Sequence, residues 1–133
     1  MVRTLRMHDV VAVVPFAGEL GIEIAAAAPE EVRGAMRWRP ELCTVEGVLH
    51  GGALMSFADT LGAVCAFLNL PEGSTTTTVE SKTNFFRAVR GGYVTGVTRP
   101  LHAGRRFIVV QTDLTDDERR LVAQTTQTQA VLS

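Results

Sequence analysis

The longest apolar stretch of the chain covers residues 51–68 and reads GGALMSFADTLGAVCAFL. At helical spacing, its small and polar residues fall on one stripe: Gly52, Ser56, Asp59, Thr60 and Ala63. A helix that is apolar on nearly all its other sides is typical of the centre of a soluble core. Asp59 at its middle argues against a membrane span, and Pro71 and Gly73 end it. The pattern predicts a long core helix.

Alternating polar and β-branched residues predict strands on both sides of this helix. The downstream segments are 76–89, 93–98, 106–115 and 121–132, separated by turns at residues 91–92, 102–104 and 116–118. We interpret these four strands as an antiparallel meander. Upstream, residues 21–27 and 31–38 predict a hairpin turning near Pro29. The N-terminal run MVRTLRMHDVVAVVPF predicts a first helix that caps the domain.

The order of these elements limits the architecture to few choices. A single apolar helix is covered on its sides only when one sheet curls around it. We therefore predict an α+β chain with the hotdog fold, an antiparallel sheet wrapped around one long central helix. A length of 133 residues fits a single domain over 1–133.

Charge and cysteine content narrow the classes of partner. The formal net charge is −1, which gives no general attraction to nucleic acid or to an anionic membrane. Phosphate recognition must then come from a few placed arginines. The two cysteines, Cys43 and Cys65, form no CxxC or Cys/His pattern, so we expect no disulfide framework and no metal site. A reducing cytoplasm fits this composition.

Candidate chemistry concentrates in the run GVLHGGALMSFADT, which holds His50, Gly51, Gly52 and Asp59. Backbone N–H groups at the start of a helix have no partner within the helix and lie at the positive end of its dipole. Glycine lets a ligand approach that backbone closely. The N–H groups of Gly51 and Gly52 are therefore expected to polarise a thioester carbonyl and to stabilise the oxyanion formed on attack.

The spacing between these glycines and Asp59 predicts a shared site. Asp59 lies seven residues after Gly52, or roughly 10 Å along a helix. A carbonyl held at the helix start is out of its hydrogen-bonding reach of about 3 Å. A second subunit whose helix runs antiparallel would bring its own Asp59 to these glycines. We expect a homodimer with two shared sites.

The combined pattern of residues 40–132 resembles the thioesterase superfamily of hotdog proteins. It comprises G-x-x-H-G-G at 47–52, Ala58-Asp59, the strand TTVESKTNFFRAVRGG, the turn HAGRR and the segment RRLVAQTTQT. Within that superfamily the chain is similar to the phenylacetic-acid-degradation-type branch and to the 4-hydroxybenzoyl-CoA thioesterases of the Arthrobacter type. The resemblance implies an acyl-CoA thioesterase that cleaves an acyl- or aryl-CoA and forms a homodimer or homotetramer.

The resemblance also implies roles for individual residues. Gly51 is the expected oxyanion donor, and Asp59 is the expected nucleophile or general base. Thr78 matches a position that orients the attacking water, and His50 is expected to structure the loop or to hold the thioester. The family often has Asn or Gln six residues before the histidine, where this chain has Thr44, a shorter donor.

Recognition of CoA is expected in two segments that line the CoA groove in the family, 84–92 and 102–106. Arginine binds phosphate through bidentate, charge-assisted hydrogen bonds. CoA is part of the substrate, and no other cofactor is expected. The candidate residues for this role are Asn84, Arg87, Arg90, Arg105 and Arg106.

Two other classes remain open from the sequence alone. A hotdog enoyl-CoA hydratase or dehydratase normally pairs a histidine with the acid on a differently spaced helix motif, and no histidine lies on this helix beside Asp59. A non-catalytic acyl-CoA-binding hotdog module is the other. Release of thiol from acyl-CoAs, hydration of enoyl-CoA, or binding without turnover would separate the three.

Overall fold

The computed structural model describes residues 13–133, in which six strands and one long helix dominate. The long helix, α2, is Gly51–Leu68, and the short helix α1 is Pro15–Leu20. Two 3₁₀ turns, Pro40–Leu42 and Val45–Gly47, lead into α2. The strands are β1 Ile22–Ala28, β2 Glu31–Arg37, β3 Thr75–Phe85, β4 Tyr93–Ala103, β5 Phe107–Thr115 and β6 Leu121–Leu132.

The strands form one antiparallel sheet in the order β1-β2-β4-β5-β6-β3, and this sheet wraps around α2. Phe57 and Leu61, on the inner side of α2, are 0% exposed. Leu61 packs against two glycines of the sheet, Gly34 and Gly96. A Cβ added at Gly34 would lie 2.8 Å from one methyl carbon of Leu61, and a Cβ at Gly96 would lie 2.4 Å from the other. The expected α+β hotdog architecture is confirmed, because one antiparallel sheet wraps around one long helix.

By length and composition alone, α2 could cross a membrane. Its 18-residue window has a mean hydropathy of 1.5, but 56% of that window is buried within the chain's own fold. The apolar surface is therefore used by the sheet, as expected for a core helix.

The four-strand meander predicted after the helix is wrong in one respect. β4, β5 and β6 are consecutive neighbours, but β3 pairs with β6, and β4 pairs with β2. β3 also ends at Phe85 rather than at residue 89, so residues 86–92 form a connection and not a tight hairpin. Seven residues can span roughly 23 Å, more than the roughly 14 Å across three strand spacings. The link is therefore long enough to carry the chain past β6 and β5.

The first helix predicted over residues 1–16 lies mostly outside the described residues. Within the described residues, α1 runs from Pro15 to Leu20 and is followed by Gly21, whose φ of 71° is left-handed. The β1–β2 hairpin and the strand 121–132 are found where the pattern placed them, with bounds that differ by no more than one residue.

β3 is an edge strand of 11 residues whose inner face is polar. A bulge between Thr78 and Glu80 interrupts its register with β6 and leaves Val79 54% exposed. The inner face of the strand consequently presents hydroxyl groups to α2 and β6. These are Thr76, Thr78, Ser81 and Thr83.

Candidate active site

The start of α2 is capped by His50, the residue before the first helical glycine. His50 Nδ1 accepts a hydrogen bond of 2.7 Å from the backbone N–H of Gly52. Because Nδ1 is an acceptor, a neutral His50 ring carries its proton on Nε2. The loop before α2 is tied down in turn, since His50 N–H donates to Leu42 O at 2.9 Å. His50 thus caps α2 and is itself bonded to the loop that precedes it.

Among the first four N–H groups of α2, only that of Gly51 has no partner in residues 13–133. Gly52 donates to the His50 ring, and Ala53 and Leu54 both donate to His50 O at 2.9 and 3.2 Å. The sequence pattern predicted two free glycine donors. The structure leaves one, because the cap satisfies Gly52.

The free Gly51 N–H borders a cavity of about 410 Å³. Thr44 and Arg87 line the same cavity, so three predicted site residues meet there. The ring of Phe85 lies against Gly51, and a Cβ added there would approach the Phe85 Cζ atom to 3.2 Å. This end of α2 therefore combines a hydrogen-bond donor with a hydroxyl group, an aromatic ring and a positive charge.

Asp59 lies half-buried on the uncovered stripe of α2, among hydrogen-bond donors from the sheet. Its Oδ1 atom accepts one bond from Thr78 Oγ1 and another from Gln127 Nε2, each 2.8 Å long. Thr78 was expected to orient a water. Its only proton is engaged by Asp59, so its hydroxyl meets a water only as an acceptor.

A second cavity, of about 390 Å³, opens beside Asp59. Apolar side chains make up most of its wall, and they come from α1, the residues just before it and α2. Besides Asp59, the lining comprises Val13, Val14, Phe16, Ser56, Thr60, Ala63, Val64, Phe67 and Thr76. Because Gly51 does not border this cavity, the Asp59 carboxylate and the free Gly51 N–H lie in separate places within one chain.

The distance between these two places follows from helix geometry. Gly51 and Asp59 are eight residues apart on one continuous helix, which corresponds to about 12 Å along its axis. No reaction in which both groups touch one thioester fits within a single chain, since each contact must be about 3 Å. The stripe between them is not covered by the chain's own sheet: Gly52 is exposed, and Ser56, Asp59 and Thr60 are partly so.

The residues expected to bind CoA divide into two groups at opposite ends of α2. Arg87 lies at the Gly51 end, and Arg90 follows in the same connection. Arg105 lines a cavity with residues 69–72, just beyond the last residue of α2, and Arg106 adjoins it. Asn84 lies on the exposed face of β3. One chain therefore does not bring all five together.

The side chains of the four candidate arginines form no ion pair with any residue in 13–133. Arg33 and Arg99, by contrast, both contact Glu31. The hydrogen bond from Arg33 is the main reason that the pKa of Glu31 lies below its ordinary value. A guanidinium group that forms no ion pair within residues 13–133 can still bind an external anion.

Cys65 does not behave as a nucleophile. Burial raises the pKa of the Cys65 thiol to about 11, so it stays protonated at neutral pH and is inert. Cys43 and Cys65 are both free thiols. Within residues 13–133, no three His, Cys, Asp or Glu side chains are grouped so as to hold a metal ion.

Two buried glutamines on β6 are site residues that the sequence pattern did not reveal. Gln127 donates directly to Asp59, and Gln129 donates to Thr78 Oγ1 at 2.6 Å. The segment QTTQTQ at residues 124–129 is polar at every position, so alternation gives no indication of which side chains face inward. Only the pairing of β6 with β3 and β5 determines which of these side chains face the core.

A six-stranded sheet wrapped around one helix, with a carboxylate on the uncovered stripe of that helix, is the architecture of hotdog thioester hydrolases. The chain belongs to the Thioesterase superfamily, whose family model matches residues 46–123.

Relatives and solved structures agree with this assignment. A candidate esterase of Mycobacterium tuberculosis is 35% identical over 114 residues, covering 84% of this chain and 81% of the relative. The 1,4-dihydroxy-2-naphthoyl-CoA hydrolase of Escherichia coli is 36% identical over 86 residues, covering 65% and 63%. The crystal structure of a Haemophilus influenzae thioesterase superposes with a TM-score of 0.92 at 29% identity, covering 98% of this chain and 93% of that one. The chain is therefore a thioester hydrolase, and the comparisons favour this class over the hydratase and binding-module alternatives.

Proposed function

We propose that the chain hydrolyses an acyl- or aryl-CoA thioester in a site built by two copies of itself. Asp59 of one subunit acts on a carbonyl that is held by the Gly51 N–H of the partner subunit. The observation that carries this proposal is the separation of about 12 Å between the free N–H and the carboxylate along one helix. Antiparallel packing of two α2 stripes would remove that separation at two equivalent places.

The edge strand β3 supports the same pairing. It is 11 residues long, and among residues 13–133 only β6 pairs with it. An edge of this length presents unpaired backbone groups to another chain. Antiparallel pairing of two β3 edges would create one continuous sheet and would set the two α2 helices antiparallel, as the resemblance to the superfamily implies. A further pairing of such dimers would give the tetramer that the resemblance to the superfamily also implies.

In the general-base route, Asp59 removes a proton from water while the water oxygen bonds to the thioester carbonyl carbon. The carbonyl oxygen becomes an oxyanion, which the Gly51 N–H stabilises. When the oxyanion collapses, the C–S bond breaks, and the sulfur receives the proton from Asp59. The products are the free acid and CoA thiol.

In the nucleophilic route, an oxygen of Asp59 attacks the same carbon and expels CoA thiolate, leaving a mixed anhydride that water then hydrolyses. A single turnover in ¹⁸O-labelled water separates the two routes. The general-base route places the label in the released acid. The nucleophilic route, with water attacking the Asp59 carbonyl, places it in the protein.

CoA binding is proposed to use arginines from both subunits. α2 has 18 residues and is about 26 Å long, so Arg87 and Arg105 are too far apart to hold one nucleotide from a single chain. If Asp59 lies opposite the partner's Gly51, then the end of α2 near Arg105 extends past it toward the partner's Arg87. The phosphates would lie between these two charges.

The acyl group is proposed to occupy the largely apolar cavity beside Asp59. Its volume of about 390 Å³ and its walls from Val14, Phe16 and Phe67 suit an aromatic or medium-chain group. Phe57, a second aromatic residue of α2, is fully buried in the core and does not line this cavity. The E. coli relative is named for an aryl-CoA substrate, which makes aryl-CoAs the first class to test.

The test is thiol release from a panel of acyl- and aryl-CoAs by the wild-type protein and by Asp59→Asn. We expect saturable hydrolysis by the wild type, and a loss of kcat of about 10³-fold or more in the variant with its fold preserved. An Asp59→Asn protein with near-normal kcat would remove Asp59 from the mechanism. The free cysteines fit the cytoplasm, which we propose as the compartment.

A further inference from the structure

A chain of polar side chains from β3 and β6 lies against Asp59. Gln127 is 0% exposed and Gln129 is 1% exposed, although both carry a primary amide. Gln129 Nε2 donates to Thr78 Oγ1 at 2.6 Å, and its Oε1 lies 3.1 Å from Thr76 Oγ1, whose one proton is shared with Ala130 O at 2.9 Å. Thr78 donates onward to Asp59. Burying an amide costs free energy unless its hydrogen bonds are made, so the bonds from these donors to Thr78 and Asp59 offset part of that cost.

Both donors that reach Asp59 bind the same carboxylate oxygen. Thr78 Oγ1 and Gln127 Nε2 each lie 2.8 Å from Oδ1. No side chain or backbone group within residues 13–133 donates to Oδ2. The two donors come from β3 and β6, whereas most of the cavity beside Asp59 is formed by α2, α1 and the residues before α1. The carboxylate is therefore held from the sheet through one oxygen, and the other oxygen is left for the cavity.

The orientation of the Gln127 amide is set by the helix as well as by the carboxylate. Its Oε1 atom is buried and has no partner in the described part of the chain. Turning the amide over would place that oxygen against the carboxylate, which is electrostatically unfavourable. The amide fits only because residue 62 of α2 is glycine: a Cβ there would lie 2.2 Å from Gln127 Oε1.

An apolar side chain of the same size would fill this space without leaving an unpaired acceptor. Packing alone therefore does not account for a glutamine at this position.

We propose that Gln127 is a positioning residue for hydrolysis: together with Thr78 it holds Oδ1 of Asp59, so that Oδ2 is the oxygen that takes part in the reaction. Gln129 supports this geometry through Thr78, and Gly62 provides the space for the amide. The inference rests on the proposed role of Asp59 and specifies which of its oxygens reacts and what orients it. Gln127 itself does not contact the substrate.

The direct test is Gln127→Met, which keeps the length of the side chain and removes both polar atoms. The matched control is Gln124→Met on the same strand, because Gln124 donates to Asp113, at 2.8 Å, and not to Asp59. We expect Gln127→Met to lower kcat by about 10- to 100-fold with KM changed less than about twofold, because a misplaced reacting group affects the chemical step. The control should keep the wild-type kcat.

A second variant moves the amide without changing it. In Gly62→Ala the new methyl group would overlap Gln127 Oε1 and displace the amide from Asp59. We expect the same selective loss of kcat. The double variant with Gln127→Met should be no slower than the slower single variant, because both changes remove one interaction. Circular dichroism and thermal unfolding check the fold, and if Gln127→Met does not fold, Gly62→Ala decides alone.

The outcomes separate this inference from the proposed function. If Asp59→Asn is inactive while Gln127→Met and Gly62→Ala retain the wild-type kcat, the positioning role is overturned and the role of Asp59 stands. An equal loss in Gln127→Met and Gln124→Met would also overturn it, since the effect would then be general to β6. If Asp59→Asn keeps its activity, the proposed function itself fails.

Discussion

Replacing Gly51 by proline would remove the backbone N–H of this residue and add a pyrrolidine ring, whose Cβ would lie 3.2 Å from Phe85. Gly51 is the first residue of α2, a position where proline is favoured because its φ suits the helix and its missing N–H has no helical partner. The preceding residue, His50, has φ −63° and ψ 136°, which is the conformation that a following proline requires. Within residues 13–133, the N–H that is lost is the one donor in the first turn of α2 that has no hydrogen-bond partner.

The expected magnitude comes from the role of that donor. Loss of a single oxyanion donor lowers kcat by roughly 10²- to 10³-fold, or about 2.7–4 kcal/mol of transition-state stabilisation. Gly51→Ala is the matched control, because it adds a Cβ and keeps the N–H. That Cβ would lie 3.2 Å from Phe85, whose ring is 49% exposed and has room to shift. The alanine variant should therefore stay within about threefold of the wild-type kcat.

The assay is steady-state thiol release on the best substrate of the panel, with circular dichroism and thermal unfolding to establish that both variants fold. A Gly51→Pro protein with nearly wild-type kcat would refute the assignment of the donor. An alanine variant as slow as the proline variant would refute it in another way, because crowding against Phe85 would then explain both losses.

Two further predictions test the shared site. Mixing Asp59→Asn subunits with Gly51→Pro subunits should restore about a quarter of wild-type activity. About half of the dimers are then mixed, and each mixed dimer has one intact site of its two. No recovery of activity despite verified subunit exchange would contradict the shared site. Arg105→Ala should raise KM for CoA esters by about three- to tenfold with little change in kcat. Arg99→Ala, which loses only the ion pair with Glu31, is its control, and equal KM values in the two variants would place the phosphates elsewhere.

The core helix and its polar stripe could be predicted from the sequence, because both depend only on residues close together in the chain. The run 51–68 is apolar around most of its circumference, so its burial as one helix could be predicted without knowing what surrounds it. The same run showed Asp59 on a single polar stripe that begins at the glycines. The distance between these glycines and Asp59, from which the shared site is proposed, likewise follows from the helix rise alone.

Strand neighbours were not readable, because they depend on the path of the chain through space. The pattern predicted β3 beside β4, as consecutive strands in a meander. In the structure, the connection of residues 86–92 carries the chain past two strands, and β3 becomes an edge beside β6. That placement brings Thr78 to Asp59, and no strand of residues 13–133 pairs with the other edge of β3.

The hydrogen bonds that define the site were decided by the tertiary structure. Whether Gly51 or Gly52 is the free donor depends on the ring of His50. The ring accepts a hydrogen bond from the N–H of Gly52, and the N–H of Gly51 is left without one. Gln127 lies in a segment that is polar at every position, so its burial follows only from the register of β6 with β3 and β5. Composition and periodicity determine which segments are buried; the atoms that meet in the core depend on pairings between residues distant in the chain.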